Sequence, residues 1–310
     1  METYIKKLRH ILPTFLTITF GTVFGLGFIR WIFSIQSSII DINEDIWVLW
    51  LPLFLPWIPI TLWLRQRICV LTVKKGDIYK IRFVFQFIAW VTISAMLLIS
   101  QAYLTTATGK LKELSTIEEI EYVEKVRFYR LNDFTLAPSS RGSFTNFRTS
   151  GKYKQYLNFD IYFVIPILKD SSERIIYIPK YWYGVKFKKQ ISNNISDEKK
   201  EKMYQAFFME CINKMKKYDF HSLDYFERKP NSDDRQNFLI AIQSIIKWRA
   251  DDRFIILEPI KEKFEERNGN KFAWTLGSFG IGLCVLLFFL LWPDYSETER
   301  ELFLSKKSQS

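Results

Sequence analysis

Histidine and cysteine are scarce in this chain, and their scarcity removes several kinds of chemistry. The 310 residues include two histidines, His10 and His221, and three cysteines, Cys69, Cys211 and Cys284. Without an HExxH sequence or a Cys/His cluster, the usual zinc motifs are excluded. Cys211 is the one cysteine between residues 105 and 270, so that region cannot close a disulfide on itself. A phosphate loop is also missing. TATGK and RTSGK lack the upstream glycine and the Ser or Thr after lysine, and both read as turns. No G-x-S-x-G surrounds a serine. Neither a cofactor nor a metal is expected.

What the chain has is segregation. Aromatic residues make up 17% and charged residues 25%, and the apolar residues gather in blocks apart from the charges. Such segregation marks membrane spans joined to a water-facing part. The net charge of +11 lies largely beside the apolar blocks, which fits membrane flanks better than nucleic-acid binding, so no nucleic-acid partner is expected.

Four spans are predicted. The first runs from Ile11 to about Ile35, and its 19 residues from Ile11 to Ile29 carry no charge. At the rise of a helix that is about 28 Å, close to the hydrocarbon thickness. A cleaved signal peptide is the rival reading, but the run is long for one and no small-x-small site follows. The second span is Ile46 to Leu64. Its prolines, Pro52, Pro56 and Pro59, each remove a backbone donor, so this span should be kinked and should draw partners from a neighbour. The third is Phe83 to Leu104 and the fourth Phe272 to about Pro293. Gly21 and Gly25 in the first span, and Gly277 and Gly280 in the fourth, are candidate helix-packing positions. Arg30 is the one charge within an apolar run, and is expected to snorkel to the interface.

Loop charges set the orientation. Lys6, Lys7 and Arg9 precede the first span, and Arg65, Arg67, Lys74, Lys75, Lys80 and Arg82 fill the second loop. Basic short loops stay in the cytoplasm. Both termini are therefore expected inside, and the segment 105–270 outside a bacterial inner membrane. The domain plan is a three-span region, 1–104, an extracytoplasmic domain, 105–270, and a fourth span with its tail, 271–310.

The segment 105–270 reads as an α+β domain. Strands are predicted at Lys125–Leu131, Asn158–Leu168, Arg174–Pro179, Tyr183–Ile191 and Phe254–Leu257. Residues Pro138 to Lys154 read as a loop or irregular hairpin. Ser196 caps a helix whose stripe is Met203, Phe207, Cys211 and Met215. A second helix starts near Ser232, and a charged helix is expected from Pro259 onward.

Several segments carry a resemblance: LWLPLFLPWIPITLWLRQRI at 49–68, ATGKL at 107–111, SGKY at 150–153, PKYWYGVKFKKQIS at 179–192 and YFERKPNSDDRQNFLIAI at 225–242. Together they resemble the N-terminal accessory region of multi-pass Bacteroidetes proteins labelled rhomboid-family intramembrane proteases. The protease core of that family needs a G-x-S-G serine and a histidine in another span. Neither is found here, so no catalytic residue carries over. The resemblance implies spans plus an extracytoplasmic domain without the protease.

The leading expectation is a non-catalytic membrane protein whose outer domain binds a protein or an envelope component. Tyr181, Trp182, Tyr183 and Lys186 are the candidate interaction residues, since aromatics beside cations mark binding surfaces. The alternative for the three aromatics is a place in the core. A membrane-associated hydrolase or degenerate protease, built on His221 with a nearby serine or acid, is a second expectation. A transport or channel subunit, built on the Pro-rich span, is a third. The bilayer is one partner, and a protein or a second copy of the chain the other.

Overall fold

The computed structural model describes residues 2–36, 42–73, 77–169, 178–246 and 253–308. Along the chain come helix α1 (Glu2–Arg30), which widens into a π-helical turn at Trp31–Gln36, and the broken helix α2 (Ile46–Ile68). Strand β1 (Leu71–Thr72) and helix α3 (Ile78–Ala107) follow. Next are β2 (Leu111–Leu114), β3 (Phe128–Leu131), β4 (Thr135–Leu136), β5 (Gly142–Ser150), β6 (Tyr156–Leu168) and β7 (Tyr181–Ser192). Helix α4 (Asp197–Lys216), β8 (Tyr225–Arg228), α5 (Asp233–Ile246) and β9 (Ile255–Ile260) complete the middle region. Helix α6 (Lys271–Phe289), β10 (Asp294–Tyr295) and α7 (Glu297–Ser308) end it. The chain divides into two compact units, residues 1–108 with 268–310, and residues 109–267.

In the first unit α1, α2, α3 and α6 are each long and apolar enough to cross a membrane. Their shared interior is apolar, built from Ile11, Phe15, Ile60, Leu64, Phe85 and Ile93 among others. Their outward faces are apolar too: Phe24, Phe28, Phe54, Ile58, Phe83 and Ile281 are all exposed. Water penalises such a surface and lipid does not.

The prolines act as expected. Helix α2 alternates between π and α geometry and breaks into a turn at Leu55 and Pro56. The neighbour supplies a donor: the Trp90 indole of α3 donates to the Leu53 carbonyl at 2.8 Å. Trp57 stacks on that same indole with centroids 5.8 Å apart.

The glycines and Arg30 differ from expectation. A Cβ at Gly21, Gly25, Gly277 or Gly280 would meet nothing within 4 Å, so none of the four marks a close helix approach within this chain. Gly282 does, because a Cβ there would overlap the Thr92 side chain of α3. Arg30 does not snorkel. It is 3% exposed and donates to the Gln101 carbonyl at 2.9 Å and to Thr105 Oγ1 at 2.8 Å. Glu44, in the helical turn that leads into α2, supplies the acid that the apolar runs themselves lack, 3.2 Å away.

Away from Arg30, the other ends of the helices converge. Lys7 Nζ donates to the carbonyls of Leu290 and Pro293 at 2.5 and 2.7 Å, a cation at the C-terminal end of α6. Lys6 pairs with Glu297 at 2.9 Å. Strand β1, just before α3, pairs antiparallel with β10, just after α6. The start of α1, the α2–α3 loop and the segment after α6 thus share one end of this unit.

The second unit is a mixed sheet in the order β2-β3-β8-β9-β7-β6. The far edge of β6 pairs first with β5 and then, beyond Pro166, with β4. The pairs β2–β3 and β7–β9 are parallel and the others antiparallel. Helix α4 covers one face, where Phe207, Cys211 and Met215 meet Phe159, Ile161, Phe163 and Tyr183. Helix α5 covers the other, where Phe238 and Ile242 meet Tyr162, Val164 and Trp182. Burial on both faces explains why β6 reads as a nearly continuous apolar run. Gly184 on β7 lets α5 approach, since a Cβ there would lie 2.9 Å from Ile256 and 3.1 Å from Phe238.

Ser196 occupies the N-cap of α4 with extended backbone, although its side chain makes no capping bond. Of the two readings of residues 138–154, loop or irregular hairpin, the structure has the hairpin: the polar segment Gly142–Ser150 is an edge strand paired antiparallel with β6 in unbroken register. Nor does a helix start at Pro259. β9 continues through it, because the pairing with β7 has ended at Leu257 and the missing N–H costs no ladder bond there. The strand expected at 174–179 falls mainly outside the described residues, and Ile178 and Pro179 lie in no regular element.

Candidate functional site

The aromatic run at 181–183 belongs to the core. Tyr181, Trp182 and Tyr183 are 3%, 0% and 1% exposed, so they form no binding surface. Their alternation along β7 sends Tyr181 and Tyr183 toward α4 and Trp182 toward α5. Lys186 is buried as well, in an ionic network beneath α5. Its Nζ lies 2.5 Å from Asp234 Oδ1 and 3.7 Å from Asp160 Oδ2, and Arg148 pairs with Asp160 at 2.5 Å. Tyr162 donates to Asp234 at 2.7 Å and accepts from Asn237 at 3.1 Å. Burial opposes ionisation of Asp234, yet the bonds from Lys186 and Tyr162 hold its carboxyl below the usual aspartate range. Burial and the adjacent Asp234 push the Tyr162 phenol upward. Two cations face two carboxylates, so the network is neutral. It fixes the first turn of α5 to the sheet and leaves no charge for a ligand to satisfy.

His221 lies in the exposed loop between α4 and β8. Its backbone N–H donates to Asp219, and its ring stands 4.7 Å from that of Phe134. Neither a serine hydroxyl nor a carboxylate meets the imidazole among the described residues, which a nucleophile–base pair requires. Among the described residues, no three His, Cys, Asp or Glu side chains are grouped to hold a metal ion.

A different part of the domain has the character of a site. A cleft of about 1020 Å³ opens where the starts of β7 and β9 meet β3 and the 3₁₀ turn at Ile117–Glu121. Its apolar lining comes from Ile120, Val123, Ile178, Phe254 and Ile255. Among the described residues its polar lining is Lys125, Lys180, Arg228, Arg253, Glu121 and Tyr129. Glu121 Oε1 accepts from Lys180 at 2.8 Å and from Tyr181 at 3.2 Å, and the Lys180 bond holds this carboxyl below the usual glutamate range. Lys125 is exposed and has no ion-pair partner among the described residues. Tyr129 is fully buried. Its oxygen accepts from the Val126 N–H at 3.0 Å, its own proton has no acceptor among the described residues, and burial pushes its pKa upward.

Of the sequence-predicted residues, only Tyr181 touches this cleft's polar groups, through Glu121. The lining is drawn from four separated segments, around 120–129, 178–180, 228 and 253–255. No spacing rule links such segments. The one local signal was the pairing of apolar side chains with a lysine at Ile178–Lys180, just before the aromatic run. Comparison of the chain with protein families, with curated proteins and with solved structures found no match.

Proposed function

We propose that this chain is a non-catalytic, multi-pass inner-membrane protein whose domain 109–267 binds a protein or envelope component at the basic cleft. In this reading the domain is held between the third and fourth spans, α3 and α6, on the extracytoplasmic side, and both termini are cytoplasmic. The observation that carries it is the lining of the cleft: an apolar floor from Ile120, Val123, Ile178 and Ile255, with the exposed Lys125 and with Lys180 beside it. A concave, largely apolar site with a few convergent polar groups is the usual form of a binding site.

The orientation is supported by the gathering of the first residues, the α2–α3 loop and the tail at one end of the four-helix unit, where the short basic segments also lie. Binding is preferred to catalysis because, among the described residues, the cleft lining pairs no nucleophile with a base. Glu121 is already engaged by Lys180 and Tyr181.

The test is site-specific photo-crosslinking in living cells. A photoreactive residue at Ile178, in the cleft, is compared with one at Lys199, exposed on α4. The proposal expects a discrete adduct from position 178 that position 199 does not give. Recovery of the chain alone from both positions contradicts it.

A further inference from the structure

The lining of the cleft also narrows what it binds. We infer that the cleft takes an anionic amphiphile, an aliphatic chain carrying a phosphate or carboxylate head. This rests on the binding reading just given. The strands that border the cleft, β3, β7 and β9, are interior to the sheet and pair on both sides. An extended peptide therefore finds no free strand edge for main-chain pairing. Among the described residues the lining has no Asn or Gln, so these offer no side-chain amide to read a base edge or a sugar. What it does offer is branched aliphatic surface from Ile120, Val123, Ile178 and Ile255, with Lys125 and Lys180 among them. Aliphatic surface takes a hydrocarbon chain, and ammonium groups take an anionic head. Lys125 has no carboxylate to satisfy it among the described residues, and the buried Tyr129 hydroxyl has a proton to give.

The shared chemistry has two sources, a phospholipid of the bilayer and a free single-chain amphiphile. The full-length chain is reconstituted in discs of phosphatidylcholine and exposed to an alkyl phosphate bearing a diazirine on its chain. After irradiation the labelled residues are mapped by mass spectrometry. The expected result is label on the segments around 120–125, 178 and 255, displaced by dodecyl phosphate and not by dodecanol or inorganic phosphate. Lys125→Glu should lower the cleft label roughly fivefold, and added salt should lower it too, as suits an exposed charge contact. Ile178→Trp, which fills the cleft without changing charge, should lower it as far. Both positions are exposed, and continued protection of Cys211 from iodoacetamide shows that the variants are folded. Displacement by phosphatidic acid placed in the disc identifies the bilayer as the source, and displacement by the soluble compound alone identifies a free amphiphile. Both outcomes uphold the chemistry. Equal displacement by dodecanol, or label unchanged in both variants, overturns it. If that happens while position 178 still gives its discrete adduct in cells, the ligand class fails and the binding reading stands.

Discussion

Arg30 and Glu44 meet at 3.2 Å, joining the end of α1 to the start of α2, and the same guanidinium reaches the Gln101 carbonyl on α3. A cation placed in an apolar run is thus held by three segments and shielded from lipid. Glu44 is 17% exposed on its side chain, so the pair is largely buried. Arg30→Ala should cost about 3 kcal/mol, because it breaks a largely buried ion pair and removes the bonds to Gln101 and Thr105. Replacing both partners by methionine should cost less than Arg30→Ala alone. Thermal unfolding of the purified chain in detergent measures both, and a single variant milder than the double would refute the pairing.

Gly282 and Thr92 make the second test in the membrane unit. Gly282→Ala should destabilise by about 1–3 kcal/mol through overpacking, while Gly280→Ala should be close to neutral. Adding Thr92→Ala should recover only part of the loss, since it removes Oγ1 and Cγ2 but leaves the Thr92 Cβ 2.7 Å from the new methyl. Equal effects at 280 and 282 would show that α3 and α6 do not pack in this register.

Which of these features could be read from the sequence follows from whether their cause is local. The four spans are local, since each is an uninterrupted apolar run, and the α2 prolines carried their consequence with them. The stripe Phe207, Cys211 and Met215 was also legible, because helix periodicity is local. The strand Gly142–Ser150 was not. An edge strand is polar by design, and its Ser, Thr and Arg leave a loop and an irregular hairpin undecided until β6 is seen beside it. The aromatics at 181–183 were ambiguous for the opposite reason. Their alternation fits a strand, but only the helices on both faces decide that neither side is solvent. Glu44, which pairs with Arg30, and the cleft lining come from segments distant in sequence, and spacing alone does not connect them.

Cys211 reports on the folding of the domain. Burial between α4 and the sheet pushes its thiol up to about 11, which suppresses the reactive thiolate at neutral pH. Iodoacetamide should leave it unmodified in the native chain and modify it on unfolding. Reaction at the rate of a free surface thiol would show that α4 does not cover the sheet as described.

The ionic network sets an acid limit. The carboxyl of Asp234 has its pKa lowered in the folded chain, so its stabilising effect is complete above the unfolded aspartate value, near about pH 4. That effect is lost as the pH falls through the lower, folded value. Asp234→Asn should lower stability at neutral pH by about 1–2 kcal/mol, a reduced figure because the side chain is 35% exposed. It should also flatten the loss on acidification. The unfolding midpoint of the full chain, followed from neutral pH to about pH 3, distinguishes this from an unchanged acid limb.

The central claim is that domain 109–267 is carried on the outer side of the membrane while both chain ends stay inside. Single cysteines at Asn194, in an exposed loop of the domain, and at Lys306, in the tail, test it in a background lacking the three native cysteines. Spheroplasts are treated with a membrane-impermeant maleimide before and after lysis. The account predicts that position 194 labels in intact spheroplasts and position 306 only after lysis. Label at 306 before lysis, with 194 protected, would contradict it.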